Sequence, residues 1–193
     1  MKSLEIKGNL REATGKKDSK KLRGQELVPC VLYGKSEPVH FYAPFSEFRG
    51  LIYSPDVYRV DLNVDGKVYP AILQATQWHP VEEQLMHADF YQIDDKKQVK
   101  IDLPVEIVGT AKGIKAGGKL KVNLRKLKVK GLVKDFPDTI QVDVSDLDLG
   151  QIVKVGDLSI KGIQFLDPKT NVIATVSVTR AARAAMSGKE GKK

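Results

Sequence analysis

The sequence predicts a mainly β protein: an N-terminal antiparallel six-stranded β-barrel with short helices, followed by a second, sandwich-like all-β domain. Three observations predict it. Apolar and polar residues alternate with period two in short segments along most of the chain, the mark of half-buried strands. Two of these segments, Val57–Val64 and Val68–Thr76, flank Asp65-Gly66, a dipeptide suited to a type I′ hairpin turn. Near the middle, the polar run Asp94-Asp95-Lys96-Lys97 interrupts the pattern. It gives expected domains of 1–93 and 94–180, and leaves a basic tail, 181–193, too poor in apolar residues to pack.

Taken in order, Leu4, Ile6 and Leu10 alternate with polar neighbours and suit an edge strand. The stretch Arg11–Gly34 follows, and the rest of the chain is read as organised around it. Arg11, Lys16, Lys17, Lys20, Lys21 and Arg23 are opposed there only by Glu12 and Asp18. Asp18 or Ser19 is placed to cap a short helix through Lys20-Lys21-Leu22-Arg23. Val28–Tyr33 then reads as a buried strand closing on Gly34, with Cys30 an inert core thiol. Val39–Tyr42 is a short partner strand. Over 44–53, Phe45, Phe48, Leu51 and Ile52 share one helical face, with Pro44 tolerable at its start. The hairpin about Asp65-Gly66 and a closing strand, Phe90–Ile93, complete the barrel.

Beyond the seam, Val99, Ile101, Leu103, Val105 and Ile107 alternate, and Pro104 among them points to an edge or a bulge. Leu120, Val122 and Leu124 alternate, and Leu127 and Val129 continue the pattern. Ile140, Val142 and Val144 precede a helical turn at Ser145-Asp146-Leu147. Further strands are expected at 151–155, 158–165 and 172–179.

The formal charge of +8 is unevenly placed. Residues 1–23 hold eight Lys or Arg against three acids, and residues 24–93 hold four against nine. The first ninety-three residues are therefore neutral in sum, with their cations gathered in one loop. Lys112–Lys134 carries nine bases and no acid. Two basic surfaces suggest a polyanionic partner touched by each domain.

Several classes are disfavoured. No apolar run approaches the ~20 residues of a membrane span, and the N-terminus lacks the apolar core of a secretory signal. A single cysteine permits neither an internal disulfide nor a cysteine-based zinc site, and it suits a reducing cytoplasm. His40, His79 and His87 lack the spacing of a metal site. Ser19 has neither a base nor an elbow motif. Gly113–Lys119 lacks the G-K-[ST] of a phosphate loop. The expectation is a protein that is not an enzyme, with no cofactor and no metal.

An RNA site needs cations for phosphates and planar or amide groups for bases. The basic loop supplies the first; Tyr33, Gln74, Gln77, Trp78 and His87 are candidates for the second. The plainer reading is a solvated charge run beside packing residues at a barrel end.

The pattern R-x3-G-K-x2-S-[KR]-x-L-R followed by V-P-x-V-x-Y-G resembles the N-terminal signature of the bacterial large-subunit ribosomal protein family that binds 5S ribosomal RNA, the twenty-fifth in the large-subunit naming. Gln74–Pro80 (QATQWHP) and Met86–Tyr91 (MHADFY) agree with it, and Gly109–Leu120 (GTAKGIKAGGKL) resembles the C-terminal domain of the long, general stress protein CTC type. The likeness covers about residues 1–180. It implies a structural component of the large ribosomal subunit, cytoplasmic and monomeric off the ribosome, that grips an irregular internal-loop helix of 5S RNA, with neighbouring ribosomal proteins as further contacts of the second domain. It implies that Arg11, Lys16, Lys20, Lys21 and Arg23 lie on the RNA backbone and groove edges, and that Ser19 orients the loop. Tyr33, Gln74, Gln77 and His87 would reach bases, and Asp89 would bond a base edge or fix a neighbour. Lys20 and Lys21 stand where arginines are common, which replaces bidentate contacts by point charges. Trp78 stands in place of a usual arginine and offers a stacking surface. The alternative is a free cytoplasmic RNA-binding stress factor or RNA chaperone using the same loop.

Overall fold

A computed structural model of the chain describes residues 1–35, 37–94 and 97–180. They fall into two compact units: Met1–Val99 with Leu132–Asp138, and a second from Lys100 that excludes that short segment. Asp95 and Lys96 of the expected seam, and the tail 181–193, lie outside the described residues.

The first unit runs β1 (Lys2–Leu10), α1 (Lys16–Arg23), β2 (Leu27–Tyr33), β3 (Val39–Pro44), α2 (Phe45–Ile52), β4 (Tyr58–Val64), β5 (Lys67–Trp78) and β6 (Leu85–Gln92). The six strands close into a barrel in the order β1-β3-β2-β6-β5-β4. The expected number of strands and short helices is present, but the barrel is not wholly antiparallel: β1 pairs with β4, and β2 with β6, in parallel. The expected edge strand at Leu4–Leu10 is likewise corrected. β1 is bonded on both sides, to β4 and β3, because closure removes every edge.

Local chemistry explains the elements. Asp65 and Gly66 both take positive φ, 47° and 83°, as the type I′ turn between β4 and β5 requires. Pro44 sits at the N-cap of α2, where its missing N–H costs nothing, and α2 turns Phe48 and Leu51 into the barrel. Phe48 and Phe41 both pack on Phe90, with ring centroids 6.2 and 5.8 Å away. Around them the inward residues Ile6, Val28, Cys30, Leu32, Val60, Leu62 and Ala88 form the core. With Val28, Cys30 and Leu32 pointing in, Val31 and Tyr33 face out; with Ala88 and Phe90 in, His87, Asp89 and Tyr91 face out.

Two register shifts decide what the β5–β6 ribbon presents. One leaves Gln74 without an opposite residue between Leu73↔Phe90 and Ala75↔Asp89. The other leaves Met86 unopposed between Gln77↔His87 and Trp78↔Leu85. Each reverses the in–out alternation on its strand. The closing strand begins at Leu85, before Phe90 where the alternation suggests it, because the irregularity at Met86 interrupts the period.

The second unit holds β7 (Val99–Val108), a short α3 (Lys112–Lys115), β8 (Lys119–Val122), β9 (Lys126–Gly131), β10 (Ile140–Asp143), β11 (Ile152–Lys154), β12 (Ile163–Phe165) and β13 (Val172–Ser177). They form a four-stranded sheet, β10-β7-β9-β12, and a three-stranded one, β11-β13-β8. Pro104 lies inside β7 immediately before its parallel pairing with β10 begins at Val105, so β7 is interior and not an edge. The alternation that runs from Leu120 to Val129 belongs to two strands in different sheets. Its apolar positions change from even to odd after Leu124, which marks the break. Ser145–Leu147 forms a turn, with Leu147 N donating to Val144 O at 3.0 Å, and β12 spans only part of the expected 158–165.

Candidate nucleic-acid interface

The basic stretch folds as α1, and its helix starts earlier than expected. Gly15 is the N-cap and gives no side-chain cap. Ser19 lies inside the helix and its Oγ donates back to Gly15 O at 2.8 Å. Asp18 accepts from Arg11 Nε and Nη2 at 3.2 and 2.7 Å, and Nη2 also reaches Ser19 Oγ at 3.2 Å. The Arg11 side chain is 7% exposed and that of Asp18 32%. Because Arg11 N also donates to His40 O at 2.9 Å, this guanidinium fastens the first turn of α1 to the wall formed by β1 and β3.

The other end of α1 is tied as well. Arg23 Nε donates to Met86 O at 3.1 Å, the carbonyl of the unopposed residue in β6, and Gln84 Nε2 donates to Arg23 O at 3.1 Å. Between the two ties Leu22 is buried and α1 packs against β2. At 3.6 residues per turn, Lys16 and Lys20 stack one turn apart, and Lys17 and Lys21 beside them. All four are exposed. Lys17, passed over as a site residue, belongs to this stripe; its four-residue spacing from Lys21 was the available signal. Arg11, by contrast, is spent on an internal ion pair.

The outward face of β2, β6 and β5 carries the uncharged candidates. Parallel pairing sets Tyr33 beside Tyr91, and their rings meet edge to face at 5.9 Å and 80°. Burial, then Asp89 and Tyr91, pushes the Tyr33 phenol up from its usual range. Tyr91 also lies over Gly34: a Cβ there would stand 2.9 Å from the ring, and φ is 129°. Val31 pairs with Asp89, and Asp89 with Ala75. His87 Nδ1 is 2.7 Å from Asp89 Oδ1, within ion-pair reach but out of line for a hydrogen bond. Asp89 thus stands next to His87, the position from which it can fix a neighbour.

Gln77 pairs with His87 across the ribbon, and both Gln74 and Gln77 are exposed. The bulge at Gln74 offsets the alternation, so two residues three apart are both open to solvent. Trp78 is 38% exposed and its Nε1 donates to Thr76 Oγ1 at 3.1 Å. The structure therefore gathers Tyr33, Gln77, His87 and Asp89 on one face, adds Tyr91, and leaves Gln74 and Trp78 along the ribbon. Tyr91 was not legible as a partner because it depends on the parallel β2–β6 pairing.

Other chemistry finds no support. Among the described residues no group of three or more His, Cys, Asp or Glu is arranged to hold a metal. Burial raises the Cys30 thiol far above its ordinary value. In the glycine-rich stretch, Gly113 N donates to Leu147 O and Gly118 N to Gly113 O, both at 2.8 Å, so these amides are not free to cradle phosphate. No helix among the described residues is long and apolar enough to cross a membrane.

Residues 6–90 match the model of the Ribosomal L25p family, and residues 98–180 match that of the Ribosomal protein TL5, C-terminal domain. The large ribosomal subunit protein bL25 of Phocaeicola vulgatus is 50% identical over 198 residues, which cover 98% of this chain and all of that protein. The proteins of the same name from Bacteroides thetaiotaomicron and Bacteroides fragilis are each 45% identical over 196 residues, again 98% of this chain and all of theirs. The chain belongs to the L25p family of ribosomal proteins, in the form that carries the TL5-type C-terminal domain, and is a non-enzymatic protein of the large ribosomal subunit.

Proposed function

We propose that the barrel unit binds 5S ribosomal RNA within the large subunit, gripping an irregular helix between α1 and the outward face of β2, β6 and β5. The observation that carries this reading is the exposed stripe Lys16, Lys17, Lys20 and Lys21, held in place at both ends of α1. Lys20 and Lys21 sit in the last turn, where the helix dipole favours cations; Lys16 and Lys17 sit in the first turn, where it opposes them. Two like-charged pairs one turn apart cost the helix roughly 0.2–0.5 kcal/mol each. An anion along the stripe relieves both penalties.

Phosphate contacts give affinity and little selectivity; the uncharged groups supply the rest. Tyr33, Tyr91, His87 and Gln77 offer ring edges, a nitrogen and an amide to base edges and sugars that a regular A-form groove keeps out of reach. Arg11 and Ser19 position α1, while Lys16, Lys20, Lys21 and Arg23 line the RNA backbone. The setting is the ribosome of the bacterial cytoplasm.

The test is salt dependence. Lys16→Ala and Lys21→Ala should each flatten the slope of log affinity for 5S RNA against log salt by about 0.7–0.9, with unchanged thermal unfolding. Unaltered slopes in both variants would reduce α1 to a solvated charge run.

A further inference from the structure

We propose that β9 is a second RNA-binding surface, on which Lys126, Lys128 and Lys130 track successive phosphates of a ribosomal RNA strand other than the 5S. The burial pattern of β9 alternates strictly: these three lysines lie on one side, while Leu127, Val129 and Gly131 are buried on the other. Strand geometry spaces residues two apart by about 6.6 Å, similar to the step between neighbouring phosphates on one strand. No described carboxylate pairs with any of the three ammonium groups. Asp167, close by, accepts from the Lys128 backbone N–H at 2.7 Å and so serves the main chain.

Edge protection does not explain these lysines. Lysine is common on exposed sheet edges, where it blocks further strand pairing, and that reading suits β8, which ends the three-stranded sheet. β9 lies between β7 and β12, with β12 paired along Val129–Gly131. Three like charges in a row on an interior strand repel one another without any such return. The neighbouring strand adds groups suited to RNA. Gln164 is exposed and pairs with Lys130, offering an amide to a phosphate or a 2′-hydroxyl. Leu166, whose N–H donates to Lys128 O at 2.9 Å, is 41% exposed and offers an apolar contact to a sugar. Within the same basic segment, Lys112 is already paired with Asp146 at 2.9 Å, whereas Lys126, Lys128 and Lys130 share one side of a single strand. The proposal concerns a surface of the second unit and does not depend on the 5S assignment.

The experiment compares the full chain with the same chain carrying Lys126→Gln, Lys128→Gln and Lys130→Gln. Each is titrated against large-subunit RNA freed of 5S and, separately, against 5S RNA, over a fourfold range of salt. On the 5S-free RNA the triple variant should show a slope shallower by about 2, so that the unsubstituted chain loses about 20-fold more affinity across the range. Its slope on 5S RNA should stay the same. An unchanged slope on the 5S-free RNA, or equal changes on both, overturns the proposal. So does a variant that leaves intact subunits while binding naked RNA normally, because the partner is then an acidic protein. Should the triple variant fail to fold, ultraviolet crosslinking of the unsubstituted chain to the 5S-free RNA decides: crosslinked peptides must include residues 126–130, and their absence overturns the proposal.

Discussion

Replacing Arg11 by alanine separates two roles that its charge alone confuses. The geometry makes Arg11 a fastener for α1: three hydrogen bonds reach Asp18 and Ser19, and the side chain is nearly covered. Hydrogen bonds to charged groups contribute about 1.5–3 kcal/mol net. Asp18 keeps about a third of its exposure, so solvent screening favours the lower part, about 1.5–2 kcal/mol. An eight-residue helix has little stability of its own, so the loss should appear as local opening. Amide exchange at Ser19 and Gly24, whose N–H groups donate to Gly15 O and Lys20 O, should accelerate roughly 10–30-fold, at ~1.4 kcal/mol per tenfold. Affinity for 5S RNA should fall by less than that factor, only as far as the closed fraction of α1 falls, while the salt slope holds because the bound complex keeps its phosphate contacts. Asp18→Ala added to Arg11→Ala should cost little more, since the pair is already broken. A salt slope flatter by about 0.7–0.9 with unchanged exchange would show Arg11 on a phosphate and refute this reasoning.

Gln77→Ala should weaken binding to the irregular 5S helix by roughly 1–3 kcal/mol and scarcely affect a regular duplex of equal length at the same salt; equal losses would leave only nonspecific attraction. Burial holds the Cys30 thiol protonated above its ordinary 9.0, whereas the unfolded chain ionises there. Above pH 9 the unfolded state therefore binds fewer protons, and stability falls as pH rises, by up to ~1.4 kcal/mol per unit from this group. Denaturant unfolding of Cys30→Val should lack that component, and parallel pH profiles for the two proteins would contradict it. We propose residues 1–93 as an autonomous RNA-binding domain; a folded 1–93 fragment without affinity for 5S RNA would place the site elsewhere.

What could be read in advance was local. The Asp65-Gly66 turn, the apolar face of α2 and the alternation through β2, β4 and β5 depend on neighbours in sequence. The run of cations was equally plain. Pairing between distant strands was not: nothing near Leu4 announces that β1 lies parallel to β4, so an edge was expected where none exists. The start of β6 was hidden because the unopposed Met86 breaks the period on which strand recognition relies. The same limit applied at the candidate interface. Arg11 and Lys16 look alike as charges, and only the fold brings Asp18 to one of them. Gln74 and Gln77, three apart, are both open to solvent because the strand is irregular at Gln74.

The two parallel pairings also govern when, during synthesis, the proposed RNA-binding surface exists. Lys2 pairs with Tyr58 and Cys30 with Ala88, so the barrel closes late, after long stretches of intervening chain. The carbonyl that anchors Arg23 belongs to Met86, in the last barrel strand to be synthesised. A nascent chain that has made α1 but not β6 carries the cations without the frame that aims them. Growing chains on the ribosome are surrounded by RNA, and an aimed basic surface formed early would have many wrong partners. Delaying the anchor to the final strand ties the proposed recognition to formation of that strand.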